Sequence, residues 1–233
     1  MTIVSFKHKF IFIKSGKVGG TSIQLSLFPH LGKEDIATKI FPIESNYNAQ
    51  NENFNGKSFK SHMSADAVRN ALGKELFESF FVFTIERNFV DKVVSNYAME
   101  RARFLESHNK NLDFDSYIEN QNFPQDIDKY SILDNNFQDA GVDKCYTYNN
   151  LWMLEKDFQK QFNIQLNLNK FNSKGNYRKQ QDFWEPTVNT HHKKIIDNYY
   201  KINKTFLKWL WLDRYSDKAT NGISNKTAQT LYI

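Results

Sequence analysis

A three-layer α/β domain with a central parallel sheet is the fold class this 233-residue chain predicts, and three observations predict it. The runs Phe10–Ile13, Phe80–Ile85 and Asp143–Tyr148 are short and almost continuously apolar, aromatic or β-branched. Continuous rather than alternating runs suit strands buried on both faces, as in a parallel sheet covered by helices. Each run is followed by a stretch with helical periodicity, the alternation that builds α/β layers. The length fits one domain with a real core, to which 21 phenylalanines contribute. Residues 1–216 are expected to form that domain. Residues 217–233, polar and rich in small side chains, are expected to be a loosely held tail.

The opening stretch Met1–Phe10 is broken by charge before any signal-peptide core can form. No run approaches the ~20 apolar residues that span a bilayer, so the expectation is a cytoplasmic protein with no integral membrane segment.

Phe10–Ile13 then stops at a lysine and a glycine-rich turn, after which Thr21 and Ser22 open a helical pattern. Strand, glycine loop and helix in that order build an anion site from backbone. Glycines let the main chain turn sharply and bring its N–H groups near an oxyanion. The helix aims its N-terminal N–H groups and positive dipole end at the same place. Lys17 and the hydroxyls of Thr21 and Ser22 complete a cradle for phosphate or sulfate. The loop is not a nucleotide-hydrolysing P-loop, which carries its lysine directly before the hydroxyl residue. Here Lys17 precedes the glycine pair Gly19-Gly20.

Ser64 is an N-cap candidate for a helix running to about Ser79, with Val68, Ala71, Leu72 and Leu76 on its buried stripe. That leaves His62 in the loop just before the helix.

After Phe80–Ile85, Asn88 is a plausible N-cap with Asp91 at the third helical position, a variant of the capping box. Val90, Val93, Val94, Tyr97 and Ala98 form one apolar stripe, while Asn88, Asp91, Lys92 and Ser95 take a polar face. Arg87 at the strand end and Ser95 two turns into the helix suit a second phosphate, since an arginine fork matches phosphate oxygens. In the next helix Leu151, Leu154, Phe158 and Phe162 recur at helical spacing as a core face. Phe114, Tyr117 and Ile118 suggest a short helix within the polar stretch 105–141. That stretch and Phe41–Phe59 are expected to select the acceptor.

Taken together these motifs resemble the sulfotransferases that use 3′-phosphoadenosine 5′-phosphosulfate (PAPS). The likeness is to bacterial-type carbohydrate enzymes similar to heparan sulfate 2-O-sulfotransferase. Lys17-Val18-Gly19-Gly20-Thr21-Ser22 fits that family's 5′-phosphosulfate loop, and Arg87 with Ser95 fits its 3′-phosphate motif. Phe89 and Lys92 stand where proline and arginine are usual, and Asn149 replaces the glutamate of a Phe-Glu-Asn-Leu stretch. The basic loop Asn172–Arg178 is similar to the one that closes over the nucleotide, where Tyr177 and Arg178 would touch phosphates. The resemblance implies a P-loop NTPase-like sulfotransferase fold and a sulfuryl transfer from PAPS to a hydroxyl, with a glycan as the expected acceptor. It makes Lys17 and His62 the catalytic residues. His62 would be the general base, a role that a neutral imidazole with a pKa near ~6.5 can fill. Lys17, Gly19, Gly20, Thr21, Ser22, Arg87 and Ser95 would bind the cofactor. The product would be 3′-phosphoadenosine 5′-phosphate. Glu86, beside Arg87, would oppose a bound anion unless it turns away or pairs with a cation.

Composition agrees. A net charge of +5 favours anionic ligands by steering. The basic residues are dispersed, without an arginine-rich arm or zinc-finger spacing, so no nucleic-acid partner is expected. No metal-ligand cluster is visible. The one cysteine, Cys145, falls in an apolar strand and reads as inert core. Two other readings use the same residues: a P-loop-type nucleotide kinase, and a non-catalytic glycan- or nucleotide-binding relative.

Overall fold

Three of five sheet strands run parallel, so their carboxyl ends lie at the same end of the sheet. A computed structural model describes residues 2–40, 47–134, 137–168 and 185–212, with backbone alone at 133–134, 137–140, 206 and 208–212. Phe41, the basic loop Asn172–Arg178 with Tyr177 and Arg178, and the tail 217–233 lie outside the described residues.

The sheet strands are β1 (Thr2–Ser5), β2 (Phe10–Ile13), β3 (Ile36–Ala37), β6 (Phe81–Glu86) and β9 (Lys144–Thr147), in the order β3-β1-β2-β6-β9. The protein is α/β, but the sheet is mixed rather than wholly parallel. β2, β6 and β9 are parallel neighbours, whereas β1 pairs antiparallel with both β2 and β3. The reason is the first hairpin: Lys7–Lys9 turns the chain straight back, and Lys9 takes a left-handed φ of 59° to do so. A tight turn can only join antiparallel strands. Two small antiparallel hairpins, β4 (Asn53–Phe54) with β5 (Lys57–Ser58) and β7 (Ser131–Asp134) with β8 (Phe137–Ala140), lie outside the central sheet.

The helices are α1 (Gly20–Leu27), α2 (Ala65–Leu72), α3 (Lys74–Glu78), α4 (Phe89–His108), α5 (Phe114–Glu119), α6 (Ile127–Tyr130), α7 (Leu151–Phe162), α8 (Thr190–Tyr199) and α9 (Lys201–Leu212). Ser64 caps α2 by accepting from the Ala67 N–H. The helix expected to reach Ser79 breaks at Gly73 instead, whose φ of 88° only glycine adopts cheaply, and resumes as α3.

The chain divides into two units. The first comprises residues 1–86 and 128–174. Its core joins Phe10 and Phe12 of β2, Phe83 and Ile85 of β6, Ile23 and Leu27 of α1, and Leu154 and Phe158 of α7. So α1 and α7 cover one sheet face. Ile11, Ile13, Val82 and Cys145 point the other way and are buried too, which is why these strands read as continuous apolar runs.

The second unit comprises residues 87–127 and 175–233. It is an aromatic helical cluster: Phe89 stacks on Tyr200 at 4.1 Å, and Tyr97 meets Phe114 edge-on at 4.9 Å. Asn189 and His192 form a reciprocal capping box at the start of α8. His192 also pairs with Asp115 of α5 at 3.0 Å. Among the described residues no helix is long and apolar enough to cross a membrane.

Candidate functional site

The loop from Lys14 to Gly19 joins the carboxyl end of β2 to the start of α1, as the order of residues predicts. Each glycine of the pair has its own reason. Gly19 is the N-cap and sits at φ 69°, in the left-handed region; a Cβ there would also lie 2.9 Å from Cε2 of Tyr148. Gly20 starts the helix with ordinary dihedral demands but has no room: a Cβ would meet Cε, Cγ and Cδ of Lys14 at 2.5–2.8 Å. The second glycine therefore exists to let a lysine stem pass beneath the loop.

That lysine ends the first apolar run. Lys14 is 6% exposed, and its Nζ donates to Thr21 Oγ1 at 3.0 Å. Ser15 donates its hydroxyl to the Ile85 carbonyl, tying the loop to β6. Thr21 is buried, Gly20 is buried, and Lys17, Gly19 and Ser22 are half-buried. Lys17 holds a left-handed φ of 58°, unusual for a residue with a side chain. α1 receives no side-chain cap and has no acidic residue in its first turn. α3 and α7 likewise lack a side-chain cap, whereas α2, α4, α5 and α8 are each capped by a Ser, Asn or Asp side chain. The cap of α1 thus offers no oxygen that competes with an anion for the first-turn N–H groups.

His62 lies in the same unit, exposed, in the segment between β5 and α2. Its φ of 62° is again left-handed, and its carbonyl accepts from Lys129 Nζ at 2.9 Å. Such backbone strain of order 1 kcal/mol persists only where surrounding structure enforces it. Glu86, at the end of β6, is 2% exposed and accepts from the Tyr130 hydroxyl at 3.4 Å. The carboxylate is therefore turned into the protein and met by a phenol.

Arg87 and Ser95 belong to the second unit. Asn88 caps α4, accepting from the Asp91 N–H at 3.2 Å. The Asp91 carboxylate accepts from Arg87 Nε. Asp91 and Ser95 are one helical repeat apart and share a stripe. Lys92 departs from the polar face assigned to it. It is 0% exposed, with Nζ 2.6 Å from Asp126 Oδ2, so it is a buried ion-pair member. The apolar stripe otherwise holds, with Val93, Val94, Tyr97 and Ala98 buried.

Two residues escaped the sequence reading as members of the loop. Lys14 carried a local signal, a lysine directly ending an apolar strand before glycine. Tyr148 read as scaffold, and only the approach of its ring to Gly19 places it against the loop. Cys145 is buried and is not part of a disulfide. Among the described residues no group of three or more His, Cys, Asp or Glu is brought together as a metal site.

These features define an α/β protein whose mixed five-stranded sheet carries a glycine-built loop ahead of an uncapped helix. No protein-family model and no solved structure matches the chain. It is similar to an uncharacterized protein of Archaeoglobus fulgidus, 40% identical over 72 residues. That similarity covers 28% of this chain and 58% of the archaeal protein, so the chain spans less than two thirds of that relative's length.

Proposed function

We propose that the protein is a PAPS-dependent sulfotransferase of the P-loop-like fold, acting on a hydroxyl acceptor and most simply on a glycan. One observation carries the reading: a left-handed Gly19 hands the chain from β2 into an uncapped α1, with a buried lysine under the turn and a second lysine within it. The fit to a sulfonucleotide rests on that donor set, which offers N–H groups, hydroxyls and ammonium groups and no carboxylate in the first helical turn.

When bound, PAPS supplies an activated sulfuryl group with the nucleoside bisphosphate as its leaving group. The N–H groups of Gly19 to Ser22 and the hydroxyls of Thr21 and Ser22 would hold the 5′-phosphate. Lys17 would stabilise the charge that grows on the leaving oxygen as the sulfur–oxygen bond to phosphate breaks. His62 would take the proton that the acceptor hydroxyl loses as its oxygen bonds sulfur. Arg87 and Ser95 would hold the 3′-phosphate, Arg87 releasing Asp91 to do so. A loose, charge-spread transfer of this kind is governed by positioning and electrostatics.

The test is calorimetric titration with 3′-phosphoadenosine 5′-phosphate, with ATP and magnesium as control. Micromolar binding of the bisphosphate, lost in Arg87→Ala and unmatched by ATP, is the expected result. A preference for ATP would favour the kinase reading, and bisphosphate binding without turnover on a broad hydroxyl panel the non-catalytic one.

A further inference from the structure

We propose that Lys14 is a positioning residue of the loop: it donates to Thr21 Oγ1 and so commits the Thr21 hydroxyl to donate to the anion held there. The inference rests on the anion-loop reading above and deepens it, because Lys14 has no place in the loop motif that suggested the function.

The argument begins with donor counting. An ammonium group has three donors and no acceptor, whereas a hydroxyl has one donor and two acceptor lone pairs. At 3.0 Å the Lys14–Thr21 contact therefore has one possible sense, with Thr21 accepting. The hydroxyl hydrogen must point elsewhere. Thr21 is 4% exposed, and no acceptor for that hydrogen is found among the described residues. A buried hydroxyl donor costs free energy until something accepts from it. Thr21 is the second residue of α1, where the N–H groups of an uncapped first turn gather. An oxyanion at this helix start is a group that can accept from the hydroxyl.

Glycine geometry supplies the second line. The Lys14 stem passes so close to Gly20 that any Cβ there would collide with three of its methylene carbons. The stem is thus confined along its length, and the ammonium is delivered to one place. Ser15, the next residue, is pinned to the Ile85 carbonyl, which fixes the root of the side chain to the parallel strands. A charge-assisted bond to Thr21 also polarises its O–H, making it a better donor. Lys14 acts through Thr21, and Lys17 remains the lysine of the loop itself.

The experiment is calorimetry on the full chain with three probes: 3′-phosphoadenosine 5′-phosphate, adenosine 3′-monophosphate and inorganic pyrophosphate. The variants are Lys14→Met, Thr21→Val, the double variant and Thr21→Ser. Lys14→Met and Thr21→Val should each weaken the bisphosphate and pyrophosphate roughly 10–100-fold, the range of one charge-assisted hydrogen bond. The double variant should lose little more than the worse single variant, because both remove one relay. Thr21→Ser should retain binding, and adenosine 3′-monophosphate should be insensitive throughout, since it lacks the 5′ group. A merely structural lysine would weaken all three probes alike or multiply its loss with that of Thr21→Val, and either result overturns the proposal. So does wild-type affinity in Lys14→Met. Thr21→Val keeps the proposal testable if Lys14→Met does not fold, because full affinity in Thr21→Val overturns it alone. If wild-type protein binds pyrophosphate but not the bisphosphate, the sulfotransferase reading fails while the pyrophosphate series still decides the role of Lys14. Binding of none of the probes overturns both.

Discussion

The β2–α1 loop and the first turns of α4 both gather positive charge at a helix start, but they handle it differently. In the loop Lys14 donates to a neutral hydroxyl, and backbone conformation at Gly19 and Lys17 does the shaping. At α4 the cations meet carboxylates of their own: Arg87 bonds Asp91, and Lys92 is sealed against Asp126. The first arrangement sets an ammonium against a hydroxyl at the start of a helix. The second spends its charge on holding helices. A basic residue near a helix N-terminus is therefore weak evidence of a ligand until its partner is known.

The largest expected effect tests the second half of this contrast. Asp126→Asn removes the carboxylate that the buried Lys92 ammonium meets, and breaking such a pair costs about 3–5 kcal/mol. Urea unfolding reads it; a change below about 1 kcal/mol would show the pair to be solvated. The double variant Lys92→Met/Asp126→Leu should recover most of the loss, because an apolar pair pays no desolvation.

Next come the loop and its proposed base. Lys17→Ala should lower turnover roughly 10²–10³-fold, as when a preorganised charge-stabilising donor is removed. His62→Ala should lose turnover with bisphosphate affinity unchanged, since His62 is assigned to the acceptor. Full activity of His62→Ala on a proven acceptor would remove it as base.

Asp91→Asn sharpens the comparison directly. If Arg87 serves a 3′-phosphate, freeing it from Asp91 should tighten the bisphosphate severalfold. The cost is about 0.3–1 kcal/mol of helix stability from the lost acid in the first turn. Weaker binding in this variant would mean that Asp91 orients Arg87 rather than competing for it.

The two units also differ in how pH acts on them. Burial, opposed in part by the bond from Asn96, pushes Tyr117 of the second unit up to about 12. The unfolded phenol titrates near ~10, so the folded state keeps a proton that the unfolded chain has lost. That stability is complete below pH ~10 and drains away as pH rises to about 12. Thermal melts of Tyr117→Phe should fall less steeply over this window. In the first unit, burial and the neighbouring His8 lower His30. Its contribution has the opposite sense, present above pH ~6.5 and lost as pH falls through the depressed value.

How much of this was legible beforehand depends on range. β2 and β6 were readable within one residue because four- to six-residue apolar runs bounded by turn residues need no distant partner to be recognised. The caps at Ser64 and Asn88 were readable for the same reason: a cap bonds its own helix. β1 went unread because four residues next to a charged turn carry little periodic signal. The antiparallel start of the sheet was lost with it.

By itself the sequence determined the strand–loop–helix order, the glycine pair and the residues offered to an anion, since each is local chemistry along a few consecutive residues. Only the tertiary structure decided that Lys92 is buried against Asp126, that Glu86 turns in toward Tyr130, and that Lys14 runs under Gly20 to Thr21. A charged side chain takes its role from whatever the fold brings within about 3–4 Å of it, and one-dimensional spacing does not encode that meeting.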